Sequence, residues 1–306
     1  MNARVLMGRL GQSVLVIWVV ITASFFIMKA APGSPLAEDR QLPADVEQML
    51  MERYHLDEPV WVQYGLYLSG LFRGDLGPSI KQGAPVSEIL ASALPYSLIL
   101  GAQALLFALV VGVPLGLVAG WRHRSLLDHG AMAVAMAGVS IPNFVLAPLL
   151  IMVFSVGLGW FASGDWNQWS DSVLPSVSLG MYYTAYVGRL TRSGMLEVIR
   201  QDYIRTARAK GLGEMMVVFK HALRASILPV VSYLGPAAAS VLTGSVVIEK
   251  VFNVPGLGTF FVDAAFNRDY FLVLGVLIVY SALLVVLNLV VDTLYGILDP
   301  RVRDGE

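Results

Sequence analysis

Long apolar stretches separated by shorter polar segments dominate this chain of 306 residues. A helix of roughly 20 apolar residues crosses a bilayer core about 30 Å thick. Six stretches come close to that length, and each predicts a membrane-spanning helix. They cover approximately residues 10–31, 97–121, 130–158, 173–190, 227–247 and 272–295. The fourth is the weakest of the six because it is short and carries three tyrosines.

The region between the first two predicted spans is polar and rich in glycine and proline, over about residues 32–95. Within it, residues 44–54 and 60–72 repeat apolar side chains at helical spacing, which predicts a small folded segment outside the membrane. The chain therefore divides into an N-terminal tail with the first helix (1–31), this extracytoplasmic segment, and a five-helix core (96–306).

The first apolar stretch has two interpretations. Arg4 and Arg9 precede it, as positive residues precede the apolar core of a secretory signal peptide. The stretch is longer than the usual signal core of about 7–15 residues, and further spans follow. We therefore expect a retained helix.

Composition supports a membrane protein. Hydrophobic residues make up 56% of the chain, charged residues 14%, and the mean hydropathy is +0.67. A soluble domain of this length has no core large enough to bury so much apolar surface. The net charge of −1 gives no reason to expect a nucleic-acid partner. The chain has no cysteine, and its four histidines include no i,i+4 pair, so we expect no metal site.

The distribution of basic residues predicts the orientation. Of the 21 lysines and arginines, 14 fall on the side of the N-terminus if six spans are assumed. Eight of these, from Arg189 to Arg224, lie at the end of the fourth span and in the connection that leads to the fifth. Cytoplasmic loops carry such an excess of positive charge, so both termini are predicted to face the cytoplasm.

That connection, at about residues 193–226, is the most informative segment. It contains RTARAKGL at Arg205–Leu212 and HALR at His221–Arg224. Gly211 lies where a helix would end in a left-handed conformation that glycine adopts at little cost. Arg205 and Arg208 are like charges at i,i+3, which costs an isolated helix roughly 0.2–0.5 kcal/mol. We expect an anionic lipid or protein surface to offset that repulsion.

These residues resemble the cytoplasmic loop of ABC importer permeases, whose general form is E-A-A-x-x-x-G followed ten residues later by I-x-L-P. Arg205 replaces the glutamate and Arg224 the proline, as in the dipeptide/oligopeptide branch and in particular its B-type membrane subunits. Other stretches typical of that branch occur nearly from end to end. They are APGSP (31–35), YHLDEPVWVQY (54–64), IEKVFNVPGLG (248–258), NRDY (267–270) and DTLYGILDPRVR (292–303).

The resemblance implies an all-α membrane protein, with six transmembrane helices in a type I ABC importer permease-like bundle and an extracytoplasmic segment after the first helix. It also implies that the glycine-containing loop forms a coupling helix that docks on a cytoplasmic ATPase. Small residues would permit close docking, and the neighbouring polar residues would contact the ATPase. The expected ATPase-coupling residues are Arg205, Thr206, Ala207, Arg208, Lys210, Gly211 and His221.

The implied partners are a second homologous permease subunit, two cytoplasmic ATPase subunits and an extracytoplasmic peptide-binding protein, assembled in the inner membrane of a bacterial cell around a peptide substrate. The sequence contains no G-x-x-x-x-G-K-[ST] phosphate-binding loop. ATP and Mg²⁺ are therefore expected on the partner ATPases, with no cofactor and no catalysis on this chain. The sequence does not decide the substrate, which could be dipeptides, longer peptides, nickel chelates or peptide-like antibiotics.

Four polar residues are candidates for the pore or its gate: Asn143, Glu249, Lys250 and Asn288. Hydrogen bonding between helices explains the two asparagines equally well, and a solvated loop explains the other two. The alternative function is an ion-coupled secondary transporter of small solutes. Such proteins place acidic residues near mid-membrane and contain inverted repeats. The predicted spans are nearly free of acids and show no repeat.

Overall fold

The computed structural model describes residues 3–30, 44–162, 164 and 166–298. Helices account for most of these residues. In chain order they are α1 (Ala3–Ala30), α2 (Ala44–Arg53), α3 (Val60–Phe72), α4 (Val86–Trp121), α5 (Leu126–Ser140), α6 (Asn143–Leu150), α7 (Val173–Val198), α8 (Asp202–Ala209), α9 (Glu214–Met216), α10 (Leu223–Ser226), α11 (Leu228–Val251), α12 (Leu257–Phe266) and α13 (Tyr270–Leu298). Less regular helical turns connect some of them, at Ile151–Gly157, Trp169–Ser172 and Val217–Ala222.

The chain forms two compact units. The first comprises Met1–Pro95 with Pro255–Val285, and the second comprises Tyr96–Val254 with Val286–Glu306. Helices α4 and α13 each contribute residues to both units.

An aromatic core holds the first unit together. Phe25 of α1 packs against Tyr64 and Tyr67 of α3, with ring centroids 5.3 and 6.1 Å apart, and Tyr67 packs in turn against Phe271 of α13. Burial of several large rings stabilises a small unit more than aliphatic contacts alone would. The two helices predicted within the polar region are present as α2 and α3.

A buried aspartate fixes the connection that precedes α4 in the first unit. Asp269 is 1% exposed. Its carboxylate accepts hydrogen bonds from the Ser79 hydroxyl and from the backbone N–H groups of Lys81 and Leu272. Every donor identified in this set is uncharged. The carboxylate therefore joins the 79–81 turn to the beginning of α13 through hydrogen bonds from uncharged donors.

Helix α7 is central to the second unit, where it packs against α5, α6, α10 and α11. Glycines allow a close approach to α4 as well. A Cβ atom at Gly116 would lie 2.4 Å from the carbonyl oxygen of Gly188, and one at Gly112 would lie 2.9 Å from that of Thr184. Small residues at such contacts let helix backbones pack tightly in a membrane bundle.

Three described helices are long and apolar enough to cross a membrane singly, at Gly11–Ala30, Val86–Trp121 and Tyr270–Val290. Two bent pairs bring the number to five if each pair counts as one span. One is Leu126–Ser140 with Asn143–Gly157, bent by 105°, and the other is Glu214–Ser226 with Leu228–Leu242, bent by 47°.

The third predicted span differs from the structure because it is broken. Ile141 has an extended backbone (φ −104°, ψ 119°), and α6 begins after Pro142. A proline disfavours the helical conformation for the residue before it, which explains the break. The second predicted span also begins earlier than expected, because α4 already starts at Val86.

The fourth predicted span is present as a helix of 26 residues, α7, but it is not among the helices that are apolar enough to be counted as spans. Its neighbours in the bundle bury more than half of its residues, including Ser176, Thr184 and Thr191. The hydroxyls of Thr184 and Thr191 donate to backbone carbonyls of the preceding helical turn. A helix buried in this way does not need a fully apolar surface.

Candidate functional site

The segment from Asp202 to Ser226 is two short helical stretches joined at a sharp turn. Helix α8 ends at Ala209, and Gly211 follows with φ +79°, as the sequence predicts. A helical run then continues from Glu214 to Ser226. Space around Gly211 is open, since a Cβ atom there would meet nothing within 4 Å. The glycine is therefore required here by backbone conformation and not by crowding within the chain.

One face of this segment is buried in the second unit. Ile204 and Ala207 of α8 lie in a cluster with Val217, Val218 and Ala222 of the following run. Leu117 of α4 and both Met195 and Val198 of α7 complete the cluster. Aliphatic packing on this scale attaches the segment to the ends of two long helices.

The opposite face exposes large apolar side chains. Met215, Met216 and Phe219 all project from the run after Gly211, and Phe219 is 55% exposed. The same segment also exposes basic residues, at Arg205, Lys210, Lys220 and Arg224. These apolar residues were not predicted from the sequence as a surface. The signal was present, because Met215 and Phe219 are four residues apart and therefore share a helical face.

The chain itself supplies partners for the two arginines that repel each other in α8. Arg205 lies 3.3 Å from a carboxylate oxygen of Asp202, and the Arg208 guanidinium donates two hydrogen bonds to Glu214, at 2.8 and 3.2 Å. The repulsion between the two arginines is therefore offset in part within the chain, and their contact with an external anionic surface stays a prediction. Both pairs are exposed to solvent, where an ion pair contributes about 0–1 kcal/mol.

The remaining predicted coupling residues have distinct environments. Ala207 is buried in the segment's own core, and the hydroxyl of Thr206 donates to the carbonyl of Asp202 at 3.0 Å. Lys210 caps the C-terminal end of α8 and is exposed, whereas His221 is half-buried.

An ion pair that the sequence analysis did not single out joins α5 to α7 next to this segment. Arg192 donates to both carboxylate oxygens of Asp128, through Nε at 2.7 Å and Nη2 at 3.0 Å. Asp128 is only 3% exposed and also accepts the backbone N–H of Arg124 at 3.0 Å. The His123 ring nitrogen lies 3.1 Å from the same carboxylate. Sequence separation hides this pair, because its members are 64 residues apart.

The N-terminal end of α7 is also fixed by an aspartate. The backbone N–H groups of Asn167 and Gln168 donate to the carboxylate of Asp171, at 3.0 and 2.9 Å. These hydrogen bonds hold the pKa of Asp171 below its ordinary value. The carboxylate thus stays ionised at the beginning of the helix, where negative charge is favourable.

The candidate pore residues lie in separate elements. Asn143 is the first residue of α6, directly after the break, and Asn288 is exposed on α13. Glu249 is fully buried and accepts a hydrogen bond from the Ser245 hydroxyl at 2.6 Å. Lys250, the next residue, is half-buried. The alternative of a solvated loop at Glu249 and Lys250 is wrong, because α11 continues to Val251. In the part of the chain that the structure describes, no group of His, Asp or Glu is placed to hold a metal ion.

Residues 112–304 match the family described as binding-protein-dependent transport system inner membrane component. The oligopeptide transport system permease protein OppB of Haemophilus influenzae is 44% identical over 298 residues, which cover 96% of this chain and 97% of the relative. The dipeptide transport system permease protein DppB of Bacillus subtilis is 43% identical over 302 residues, or 98% of each chain. This chain belongs to the dipeptide/oligopeptide family of ABC importer permeases.

Solved structures agree with this membership at the level of the fold. The inward-facing MetNI methionine ABC transporter superimposes with a TM-score of 0.56 at 19% identity, covering 69% of this chain and 96% of the other. An amino acid ABC transporter gives a TM-score of 0.51 at 18% identity, covering 70% and 94%.

Membership confirms the resemblance stated from the sequence. The permease is an integral inner-membrane subunit of an ABC importer, and in such systems the ATPase is a separate subunit. It follows that an ion-coupled secondary transporter is no longer a competing interpretation.

Proposed function

We propose that this permease forms half of the pore of an ATP-driven peptide importer, and that residues 202–226 transmit the movement of a cytoplasmic ATPase to the pore. The names of the two relatives supply the substrate class, which is oligopeptides or dipeptides. The assembly contains a second homologous permease, two ATPases that bind ATP and Mg²⁺, and an extracytoplasmic peptide-binding protein.

The observation that carries this proposal is the two-sided character of the 202–226 segment. One side is packed against α4 and α7, while the other presents methionines and a phenylalanine to solvent. Exposed large apolar side chains with a polar rim are typical of a protein interface. Methionine side chains adapt to the shape of a partner, so Met215 and Met216 suit a contact that changes during a transport cycle.

Individual residues in the segment have different parts in this mechanism. Ala207 holds α8 against the core, and Gly211 supplies the turn that aims the apolar face away from it. Arg205, Thr206, Lys210 and His221 make polar contacts with the ATPase, whereas the Arg208–Glu214 pair keeps the turn closed. This division refines the sequence prediction, in which Ala207 itself contacts the ATPase.

The proposal includes a membrane topology with six crossings and both termini in the cytoplasm. The crossings are α1, α4, the broken pair α5–α6, α7, α11 and α13. Helix α7 measures about 39 Å, enough to cross a bilayer core of about 30 Å. The polar region after α1, up to the beginning of α4, is then extracytoplasmic, and the 202–226 segment faces the ATPases.

Coupling follows from where the segment joins the bundle. Ser226 and Leu228 meet at the 47° bend that leads directly into α11. A movement of the docked segment is therefore passed to α11 and, through the packed residues Met195 and Val198, to α7. Switching of these helices alternates access to the two sides of the membrane. Asn143, Glu249, Lys250 and Asn288 remain the proposed pore or gate residues.

The test is to replace one exposed apolar residue of the segment with a charge. Phe219→Asp should weaken the binding of the ATPases by about tenfold or more, since interface aromatics contribute disproportionately to affinity. The complex would be purified in detergent, and the amount of bound ATPase and peptide-stimulated ATP hydrolysis would be measured.

Phe72→Asp is the matched control, because Phe72 is 90% exposed and lies in the extracytoplasmic segment. This variant should bind the ATPases as the unmodified permease does. Equal retention of ATPase by both variants, with both inserted in the membrane, would refute the docking role.

A further inference from the structure

Helix α7 carries a row of polar aromatic side chains half-way along its length. Tyr182, Tyr186 and Arg189 follow one another at i, i+4 and i+7, so they share one helical face. Tyr233 of α11 lies beside them. These four residues are called the tyrosine face below. In the sequence, the tyrosines of this span weaken its apolar pattern and do not by themselves indicate a site.

Contacts among the side chains order this face. The Tyr182 hydroxyl donates to the Tyr186 hydroxyl at 3.2 Å. The rings of Tyr186 and Tyr233 stack with centroids 5.6 Å apart and planes 19° from parallel. The Arg189 guanidinium lies 5.2 Å from the centre of the Tyr186 ring, a favourable cation–π distance.

Close packing occupies other sides of α7. The carbonyls of Thr184 and Gly188 face glycines of α4, and the carbonyl of Met181 lies only 2.2 Å from where a Cβ atom of Gly138 in α5 would be. Tyr182 and Arg189, by contrast, are exposed. The tyrosine face is thus an open side of a helix that is otherwise held by its neighbours.

An open side of this composition is unsuited to lipid. Tyr182 is nine residues from the beginning of α7 and lies within the predicted span, whereas Arg189 lies at the cytoplasmic end of that span. Phenol hydroxyls within the span face a protein or a water-filled cavity, because hydrocarbon offers them no hydrogen bonds, and the guanidinium that follows them is no better suited to lipid. Exposed positions of α4, such as Leu106 and Val110, are apolar and do suit lipid.

We infer that the tyrosine face lines the translocation path and contacts the peptide as it passes. A phenol hydroxyl both donates and accepts, so it can bond the peptide backbone whatever the side chains are. The single positive charge, on Arg189, matches the C-terminal carboxylate of a peptide. This inference rests on the proposed peptide import and adds the surface that meets the substrate.

The chain offers a direct test because it contains no cysteine. Tyr186→Cys and Tyr233→Cys would each introduce the only thiol, and Leu106→Cys, at a position 60% exposed on α4, is the lipid-facing control. A charged, membrane-impermeant methanethiosulfonate reagent should label the first two at least about tenfold faster than the control, since a thiol in an apolar environment stays protonated and unreactive.

Trialanine supplied with the peptide-binding protein and ATP should slow the labelling of Tyr186→Cys and leave the labelling of Phe72→Cys unaffected.

Two labelling results would overturn the inference. One is labelling of Tyr186→Cys no faster than that of Leu106→Cys, and the other is a labelling rate that trialanine leaves unchanged while peptide uptake is normal. A disulfide formed readily under a mild oxidant between Tyr186→Cys and a cysteine introduced into the second permease subunit would assign the face to a subunit interface and overturn the inference. Failure of the unmodified complex to import trialanine would refute peptide import, while the labelling rates would still report on the path.

Two conservative variants give a readout that does not depend on labelling. Tyr186→Phe removes only the hydroxyl and should raise the KM for trialanine by about fivefold, the effect of losing one hydrogen bond. Arg189→Gln should reduce the preference for trialanine over its C-terminal amide by a similar factor. Because the same peptide-binding protein is used with the variant and with the unmodified permease, its own preference between the two peptides cancels from the comparison. An unchanged KM and an unchanged preference, in proteins that fold and bind ATPase, would refute the contact with peptide.

Discussion

Two buried aspartates, one in each unit, attach a connecting segment to a long helix, and they do so with different chemistry. Asp269 is surrounded by uncharged donors, namely the Ser79 hydroxyl and two backbone N–H groups. Asp128 is held by a guanidinium that binds both of its oxygens. Both carboxylates are almost fully buried. The first attachment depends on shape and hydrogen bonds, whereas the second depends on charge.

The difference corresponds to what each region does in the proposed function. The extracytoplasmic segment needs a fixed shape, which its aromatic core and the uncharged hydrogen-bond donors around Asp269 provide. The Asp128–Arg192 pair lies where α7 leads towards the ATPase-docking segment, so it must hold while force is transmitted. Charge-assisted bidentate pairs combine strength with a defined orientation.

Removing one member of each attachment separates them most clearly. Arg192→Ala leaves the Asp128 carboxylate buried without its cation and should destabilise the permease by about 3 kcal/mol. Ser79→Ala leaves Asp269 with its backbone donors and should cost about 1 kcal/mol. Thermal unfolding of the purified protein in detergent would measure both. Equal losses of stability in the two variants would contradict the distinction between a charge-dependent attachment at Asp128 and an uncharged one at Asp269.

Substituting asparagine for each aspartate sharpens the same contrast. Asp128→Asn removes the charge that Arg192 binds and should cost about 2 kcal/mol, because hydrogen bonds between charged groups are the stronger ones. Asp269→Asn keeps one oxygen, which can still accept from Ser79 and Lys81, and loses the long hydrogen bond from Leu272, so it should cost about 1 kcal/mol. The ratio of ATP hydrolysis to peptide uptake should rise only for the Asp128 variant. A similar rise in the Asp269 variant would contradict the assignment of coupling to the α5–α7 pair.

The smallest expected effect concerns the turn in the docking segment. Gly211→Ala should cost about 1 kcal/mol, because a Cβ atom is disfavoured at φ +79° even where space is open. Gly211→Asn should cost less, since asparagine tolerates this conformation better. Unfolding measurements rank the two variants, and ATPase binding shows whether the docking face has moved. If Gly211→Ala and Gly211→Asn lowered the free energy of unfolding equally, the left-handed backbone conformation would not be the reason for a glycine at this turn.

Local patterns along the chain were sufficient to predict most of the long helices, the protein family and one turn. Apolar runs of membrane-spanning length predict α1, α4, α11 and α13, and the spacing in the polar region predicts α2 and α3. The motif at Arg205–Leu212 identifies the permease family and the turn at Gly211. These features depend on residues close together in sequence, where periodicity and backbone preference act directly.

Tertiary structure alone decided which side of each element is available. The spacing puts Met215 and Phe219 on one helical face, but it does not tell that this face stays exposed, or that Asp128 meets Arg192, since these facts depend on which distant helices come together. The open tyrosine face of α7 has the same origin, whereas the break between α5 and α6 follows from the local backbone preference before Pro142. Hydrophobicity determines that a helix enters the membrane, but packing against its neighbours determines which of its faces remains free to act.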